Sequence, residues 1–385
     1  EEIASDQFQI AGGWGGGTFV GSVGVTLNNL SIKNFFKKGA WRPYPMGQNQ
    51  RLSISAQTNG TYYKAFAISF TDPWMGGRKP NSFTISAHYS DENNAYYAWQ
   101  KGTRYFRTAG VAAGLGKRLD WPDPYFTFYA EASYERYMLK DWNTFVLKNG
   151  AANLLSIRLV LGRNSVDQPI YPRRGSDFSV SVQLTPPYSL WDGKDYKSTA
   201  LSEQERYNWI EFHKWMLKGQ WFTPLTRNGN LVLMARAEMG YLGHYNKNKV
   251  SPFERFEVGG DGMTGYNMYG IDIISMRGYD DGALDPVGSN YSCAYNKYTM
   301  ELRYPLLLKG QTNIYVLGFL EGGNGFTSWK EFSPFKIKRS AGIGVRLFLP
   351  VVGMVGVDWG WGFDPAAGQT KRSGSHIHFT MGMQF

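Results

Sequence analysis

The sequence predicts an all-β fold, a 16-stranded antiparallel transmembrane β-barrel, and three observations lead to it. Apolar and polar residues alternate with a period of two in segments of about 8–12 residues. Aromatic residues make up 16 % of the chain and glycines 46 of its 385 residues, whereas only 19 % are charged, a composition typical of outer-membrane barrels. The mean hydropathy is −0.39, and the lack of a run of about 18 apolar residues argues against a transmembrane helix.

Sixteen segments show this alternation, and we expect one strand in each, with residues 1–385 forming a single barrel domain. The segments lie near 7–14, 18–27, 49–58, 63–71, 81–89, 104–118, 124–138, 152–162, 176–185, 207–217, 229–243, 296–307, 312–323, 335–348, 352–362 and 375–385.

The residues on the second face of each strand favour a membrane barrel over a soluble β-sandwich. In the ninth segment, for example, Phe178 and Val180 share one face, and Ser179 and Ser181 share the other. The outer face of a soluble sandwich would be rich in Lys and Glu, whereas Ser, Thr, Gly and Gln dominate here, as expected for a watery lumen. An even number of strands suits a closed barrel, and closure removes unpaired strand edges.

Long connections occur on both sides of the predicted barrel. The stretches 90–103, 186–206 and 244–295 would lie outside the cell if the first strand rises from the periplasm. The connections 28–48 and 163–175 would then face the periplasm and are longer than the short turns usual on that side.

The longest of these connections, between the eleventh and twelfth strands, contains the tripeptide Arg277-Gly278-Tyr279. Each of the next two strands carries one glutamate opposite its apolar stripe, Glu301 and Glu321. We expect the loop to fold into the lumen, where the guanidinium would form a clasp with both carboxylates, the glycine would allow a tight turn and the tyrosine would pack beside them. The alternative is an arginine exposed on the loop surface. A single surface ion pair contributes only about 0–1 kcal/mol, so a long loop would need both carboxylates to stay ordered.

No motif for catalysis stands out, and we expect neither an enzyme nor a bound cofactor or metal. His376 and His378 share a strand face, but no third ligand with metal-site spacing accompanies them, so we expect hydrogen bonds in the lumen instead. The glycine-rich stretch 12–17 lacks both the Lys-Ser/Thr pair and the following helix of a phosphate-binding loop.

The net charge of +10 has two interpretations. Basic pairs such as Lys37-Lys38 and Arg173-Arg174 lie in turn-like segments, where they are either solvated or attracted to anionic lipid head groups and lipopolysaccharide. Because no basic helix or nucleic-acid-binding module is present, we do not expect a nucleic acid partner.

The single cysteine, Cys293, excludes an internal disulfide, and we expect it to be a free, exposed thiol in the long loop. No signal peptide is recognisable at Glu1, as expected of a mature or trimmed chain.

Several motifs resemble those of one family of outer-membrane barrels. Met276-Arg277-Gly278-Tyr279 is similar to the family's loop motif, an aliphatic residue followed by Arg-Gly-Phe/Tyr. Glu301 and Glu321 match the two acidic positions that hold the loop arginine inside the barrel in that family, and Phe379-Thr380-Met381-Gly382 resembles its last strand. Over its whole length the chain therefore resembles the BamA-type outer-membrane protein assembly factors. The extra Asp280-Asp281 and the long turn at 28–48 are expected of a divergent, Bacteroidetes-like branch.

The resemblance implies a function without bond chemistry, the folding and insertion of β-barrel proteins into the outer membrane of a Gram-negative bacterium. It also implies partners: client barrel proteins, the lipid bilayer with lipopolysaccharide, and accessory lipoproteins of the assembly (BAM) complex. The family's periplasmic POTRA domains are expected upstream of this chain.

The working part of such a barrel would be a lateral gate between the first and sixteenth strands. Neither strand offers strong cross-strand side-chain pairs, so their seam should be weak, and a weak seam can open to an edge that pairs with an incoming strand. The predicted seam residues are Phe8, Gln9, Ile10, Gly12 and Gly13 on the first strand, and Phe379, Met381, Gly382, Met383 and Phe385 on the last, where an aromatic C-terminal signal is also expected.

Three other functions remain open at the level of sequence. A two-partner secretion or TamA-like translocation barrel would carry a similar loop motif. A passive porin would lack the loop clasp, and a barrel hydrolase would need a reactive side-chain cluster that the sequence does not reveal.

Overall fold

The computed structural model describes residues 7–15, 18–41, 44–58, 62–77, 80–95, 102–262, 270–288, 291–309, 312–349 and 353–381, with side chains from residue 21 onward except at 22, 309 and 381. The strands are β1 (Gln7–Gly15), β2 (Thr18–Leu30), β3 (Gln50–Thr58), β4 (Tyr63–Asp72), β5 (Asn81–Asn93), β6 (Tyr105–Arg118), β7 (Phe126–Lys140), β8 (Gly150–Asn164), β9 (Gly175–Leu184), β10 (His213–Pro224), β11 (Val232–Gly243), β12 (Arg255–Val258), β13 (Ile271–Ile274), β14 (Ala294–Lys309), β15 (Thr312–Phe326), β16 (Lys338–Leu349), β17 (Gly353–Pro365) and β18 (Arg372–Met381).

The prediction of an all-β fold with one large antiparallel sheet is confirmed. The sheet follows the chain order from β1 to β11 and continues from β14 to β18, while β12 and β13 form a separate two-stranded sheet. Helical structure in the described residues is limited to the α-helix Glu203–Tyr207 and the 3-10 turns Ile32–Asn34 and Tyr188–Leu190. None of the described helices has the length and apolarity to cross a bilayer.

Two compact units divide the chain. The first comprises residues 1–159, 184–211 and 265–267, and the second comprises 160–183, 212–264 and 268–385. In the first unit each strand pairs with the next, so the connections β2–β3, β4–β5 and β6–β7 emerge at one edge of the sheet. The single-domain boundary stays a prediction.

In the second unit, β11 pairs directly with β14, for example through Ala237 opposite Tyr298. The chain between them therefore leaves the sheet as a long loop. Within this loop the short strands β12 and β13 pair in parallel, a feature that the sequence did not indicate. The strands β14 to β18 follow in order, each antiparallel to the one before.

In the second unit's sheet large apolar side chains are exposed and charged ones are buried, which is the reverse of the usual arrangement in a soluble protein. On β14, Met300 and Leu302 are about half exposed, whereas the intervening Glu301 and Arg303 are buried. On β17, Trp359 is exposed and Asp358 is fully buried. We call these two sides of the second unit's sheet the exposed face and the covered face. Large apolar side chains on an exposed face are typical of strands that contact lipid.

Two local features differ from the expectations. The tenth strand begins at His213 rather than near residue 207, because a helix capped by Ser202 runs to Tyr207 and Trp209 then bridges to Asn153. Cys293 is a free thiol but is buried rather than exposed.

Candidate functional site

The long loop reaches the covered face of β14–β18 through its own hydrogen-bonded framework. The amide of Met276 donates to the carbonyl of Gly260 at 2.8 Å, and the amide of Gly260 donates to the carbonyl of Tyr279 at 3.1 Å. These two bonds close a tight turn, and the turn presents the side chain of Arg277 to the strands.

Arg277 meets carboxylates from three strands. Its Nη2 lies 2.7 Å from Glu301 Oε1 and 2.7 Å from Glu321 Oε1, and its Nε donates to the latter oxygen at 3.1 Å. The backbone amide of Arg277 donates to the other oxygen of Glu321 at 2.8 Å. Nη1 lies 3.6 Å from Asp358 Oδ1, and the guanidinium stacks 3.7 Å above the ring of Phe319. Nearly every face of this guanidinium therefore has a protein partner.

Two further arginines complete a buried chain of alternating charge. Arg303 Nη2 lies 2.7 Å from Glu301 Oε2, and Arg346 makes bonds of 2.9 and 2.7 Å to the two oxygens of Asp358. Together with Arg277 and Glu321, three guanidinium groups face three carboxylates, and the buried Lys297 adds a further cation 4.0 Å from Glu321 Oε1. Burying charges is costly unless each is paired and hydrogen-bonded, so the pairing of every carboxylate with a cation is what allows the group to lie away from water.

Glycines let the backbone of the loop tip approach the backbone of β17. Gly278 has a φ of +86°, which favours glycine, and a Cβ there would lie 2.8 Å from the Cβ of Ser340. On β17, a Cβ at Gly360 would lie 2.8 Å from the amide nitrogen of Gly278, and one at Gly362 would lie 2.4 Å from its carbonyl oxygen. The loop tip is therefore seated directly on the backbone of β17.

The same turn is tied to β16 and β18. The amide of Gly278 donates to Nε2 of His378 at 2.8 Å, so this ring nitrogen is an unprotonated acceptor. Nδ1 of His376 lies 3.2 Å from Asp280 Oδ1, and the hydroxyl of Tyr279 donates to the carbonyl of Arg339 at 2.9 Å. The tip thus contacts every strand from β14 to β18.

Burial and charge both act on the ionisable groups of the loop. Desolvation alone would lower the pKa of Arg277, but Glu321, Glu301 and Asp358 outweigh it and raise that pKa, so the guanidinium stays charged. Desolvation raises the pKa of Asp281 to about 6 and that of Asp285 to about 8. The loop therefore combines one locked cation with two carboxyl groups that gain protons more readily than usual.

The structure brings together all five residues of the predicted clasp, Arg277, Gly278, Tyr279, Glu301 and Glu321. What the clasp does for function stays a prediction.

The predicted seam residues can be placed only in part. Phe8 to Gly13 lie on β1, which pairs with β2, and Phe379 is exposed on β18, whose last residue is Met381. Gly382, Met383 and Phe385 lie outside the described residues.

Three members of the site were missed from the sequence, namely Arg303, Arg346 and Asp358, whereas His378 makes a hydrogen bond of the kind expected, with the loop amide of Gly278 as donor. A signal existed for the three, because they lie opposite the apolar stripe of their strand, as Glu301 and Glu321 do. Period-two alternation assigns residues to a face, but it does not say which parts of that face meet the loop.

Metal binding finds no support in the part of the chain that the structure describes, where no group of three His, Cys, Asp or Glu side chains is placed to hold an ion. His376 and His378 stack with ring centroids 6.0 Å apart, and both contact the loop tip.

The fold and the clasp together define a class: a large antiparallel β protein with an apolar exposed face and a loop fastened to its covered face. The Omp85 superfamily domain matches residues 46–385, and the chain belongs to this superfamily.

Individual relatives agree with this assignment. The chain is 22 % identical over 324 residues to the outer membrane protein assembly factor BamA of Neisseria meningitidis serogroup B, covering 79 % of this chain and 33 % of that protein. It thus spans about a third of the length of this curated relative.

Solved structures share the fold. BamA from Haemophilus ducreyi lacking POTRA domains 1-3 superposes with a TM-score of 0.66 at 17 % identity, over 98 % of this chain and 70 % of that one. CdiB from Escherichia coli gives 0.58 at 12 % identity, over 98 % of this chain and 62 % of that one. CdiB from Acinetobacter baumannii gives 0.58 at 12 % identity, over 99 % and 60 %.

Proposed function

We propose that this chain is the barrel of an outer-membrane protein assembly factor, which folds and inserts client β-barrel proteins without bond chemistry. The observation that carries the proposal is the buried clasp of Arg277 with Glu301 and Glu321, found in a chain of the Omp85 superfamily. A passive porin would lack this clasp and would constrict its pore with an earlier loop. The proposed location is the outer membrane of a Gram-negative bacterium.

The clients would enter through a lateral gate at the two ends of the strand order, β1 and β18. Three glycines in β1 (Gly12, Gly13 and Gly15) provide no side chains for cross-strand packing, so β1 should separate from a partner strand more easily than its neighbours do. A freed β1 would offer unpaired amides and carbonyls to the strand of a client, and the folding free energy of the client would drive the step.

The proposed partners follow from this activity. They are client outer-membrane barrels, the lipid bilayer with lipopolysaccharide, and accessory lipoproteins of an assembly complex.

A disulfide across the proposed gate tests this mechanism. Ile10→Cys combined with Met381→Cys, in a Cys293→Ser background, should block client insertion when oxidised and restore it when reduced. The readout is the amount of folded client barrel in cells that depend on the full protein carrying this chain. Full activity with the cross-link formed would contradict the gate.

A matched control uses the same first cysteine. Ile10 lies opposite Val23 in the β1–β2 register, so Ile10→Cys with Val23→Cys locks β1 to β2 and leaves the gate free. This pair should retain activity when oxidised. Equal inhibition by both pairs would assign the loss to a stiffened β1 rather than to a closed gate.

Two further measurements distinguish the alternative functions. Export of a soluble partner with no effect on membrane barrels would favour a translocation barrel. A large and steady single-channel conductance in planar bilayers would favour a passive porin.

A further inference from the structure

The connection between β2 and β3, described at residues 31–41 and 44–49, has its own hydrogen-bonded structure. The amide of Ser31 donates to the carbonyl of Pro45 at 2.8 Å, and that of Gly47 donates to the carbonyl of Asn29 at 3.1 Å. The amide of Ile32 donates to the side chain of Gln50 at 2.8 Å. These bonds hold the described backbone of the connection in a defined conformation.

An apolar cluster projects from the connection. Phe36 is 93 % exposed, and Ile32, Phe35 and Trp41 are each about half exposed. The ring of Phe35 makes edge contacts with Phe36 at 5.4 Å and with Trp41 at 5.0 Å, and the indole N–H of Trp41 donates to the carbonyl of Phe35 at 3.0 Å. The three aromatic rings form one preassembled group, and an exposed apolar group of this kind marks an interaction surface.

Basic side chains surround the apolar cluster. Lys33, Lys37 and Lys38 are exposed, and Arg42 adds a fourth basic residue to the sequence of the connection. Residues 31–49 contain no Asp or Glu, so the charge is uncompensated within the connection. Aromatic rings flanked by lysines suit the interface of an anionic bilayer, where the rings enter the head-group region and each cation near the surface adds attraction.

The position of the connection fits the same surface. The β4–β5 and β6–β7 connections emerge at the same edge of the first unit's sheet and also expose aromatic residues, Trp74 on one and Trp121 with Tyr125 on the other. The strand that leads into the connection exposes Val23 and Val25. The cluster thus follows a strand with exposed apolar residues, and it lies at the same edge of the sheet as the exposed aromatic residues of the other two connections.

We propose that residues 31–41 form a membrane anchor, in which Phe36, Phe35 and Trp41 insert into the head-group region of an anionic leaflet and Lys33, Lys37 and Lys38 contact lipid phosphates. This inference rests on the membrane location in the proposed function. It assigns a lipid class and a site of contact, neither of which the assembly activity requires.

An environment-sensitive dye tests the anchor. Phe36→Cys, in a Cys293→Ser background, is labelled with NBD and the full chain is folded into phosphatidylcholine vesicles with or without phosphatidylglycerol. We expect NBD emission to shift to the blue and to be quenched by nitroxide lipids labelled near the head group, most strongly with phosphatidylglycerol present. The matched control is the same dye at Lys194→Cys, an exposed residue of the β9–β10 connection between the exposed acidic residues Asp192 and Asp195, which should stay in water.

The charge is tested by combining Lys33→Gln, Lys37→Gln and Lys38→Gln with the label. The dependence of quenching on phosphatidylglycerol should then disappear. Dependence that persists, or a label at residue 36 that stays in water, would overturn the anchor and leave the surface to a protein partner.

Insertion of the barrel is checked independently, by the altered gel mobility of the unboiled, folded chain. A chain that inserts while its label stays in water contradicts the anchor alone. A chain that does not enter vesicles at all contradicts the membrane location on which both proposals rest.

Discussion

A guanidinium suits the position of Arg277 better than an ammonium would. Its planar fork reaches Glu301 and Glu321 through Nη2 and Nε, while its face stacks on Phe319. A lysine offers a single point charge and lacks the planar fork that places two nitrogens against the carboxylates while a flat face stacks on the ring. The shape of the group, as much as its charge, therefore determines which residue occupies this position.

Replacing Arg277 with Ala should destabilise the barrel markedly. The change leaves Glu301 and Glu321 with fewer partners in a buried site, and breaking a buried pair on one side costs about 3–5 kcal/mol. Denaturant unfolding of the chain refolded in detergent micelles measures this. The control is Arg339→Ala, which removes an exposed arginine 3.0 Å from Asp364 and should change stability little. Equal midpoints for Arg277→Ala and the unaltered chain would contradict a stabilising clasp.

His378 should protect the amide of Gly278 from exchange. His378→Phe removes the acceptor and leaves that buried N–H unpaired, at a cost of about 1–3 kcal/mol. Hydrogen exchange at the Gly278 amide should become faster, whereas His378→Gln, which supplies a carbonyl oxygen, should restore much of the protection. Unchanged exchange in the Phe variant would show that the hydrogen bond does not hold the loop.

The long loop is an element with its own framework, independent of the clasp. Phe256 and Ser292 exchange two backbone hydrogen bonds, of 2.9 and 2.7 Å, and the ring of Phe256 lies 4.8 Å from that of Tyr295. A loop ordered in this way loses less conformational entropy when its tip docks. Docking then depends on how closely the tip fits against β17, and Gly360 and Gly362 leave the space for its backbone.

Gly360→Ala should displace the loop tip. The added Cβ would lie 2.8 Å from the backbone nitrogen of Gly278, and a backbone atom cannot rotate aside as a side chain can. We expect faster limited proteolysis within residues 244–293. The control Gly318→Ala places a Cβ 3.9 Å from its nearest neighbour and should leave the cleavage rate unchanged. Equal rates in the two variants would mean that the tip is not seated on β17.

Asp285 should make the loop less stable as the pH rises. Burial raises its pKa to about 8, whereas an unfolded aspartate titrates near about 3.9. The folded loop therefore binds more protons than the unfolded one between these values, and stability falls from about pH 4 through pH 8.

Asp285→Asn keeps an oxygen for the amide of Val258, 3.2 Å away, and for the hydroxyl of Ser292, and it removes the ionisation. Hydrogen exchange of the Val258 amide should then lose its acceleration between pH 4 and pH 8, after correction for intrinsic exchange rates. A pH dependence equal to that of the unaltered chain would contradict the assignment to Asp285.

For the whole molecule, the sequence predicted what local periodicity determines. Period-two alternation predicted the positions of the strands because each strand has one apolar face and one polar face. Glu301 and Glu321 were found because they lie on the polar faces of the two strands that follow the loop. The role of Asp358 and the loop partner of His378 were missed because these residues lie 81 and 100 residues from Arg277 and Gly278, which they contact. No local pattern records which strands a loop crosses once the sheet has formed.

The exposed face of the second unit's sheet should tolerate charged side chains poorly, because we expect it to contact lipid. Leu320 is 60 % exposed near the middle of β15, where Leu→Arg in a soluble protein would cost little. On a lipid-facing strand a basic residue near the bilayer midplane costs about 2–4 kcal/mol. Leu320→Arg should therefore reduce the yield of folded barrel in vesicles, measured by gel mobility. Ala200→Arg, in the exposed β9–β10 connection, is the control, and equal yields would argue against lipid contact at Leu320.

The seating of the loop tip has a consequence for the order of events during maturation. The partners of Arg277 and Gly278 all lie later in the chain, and the last of them, His378, follows by 100 residues. The tip therefore cannot dock fully until β18 has joined the sheet. A chain released before β18 would keep the carboxylates but lack the acceptor for Gly278. Docking of the loop tip thus requires all five strands from β14 to β18, and an undocked tip would mark a sheet whose strands are not yet all paired.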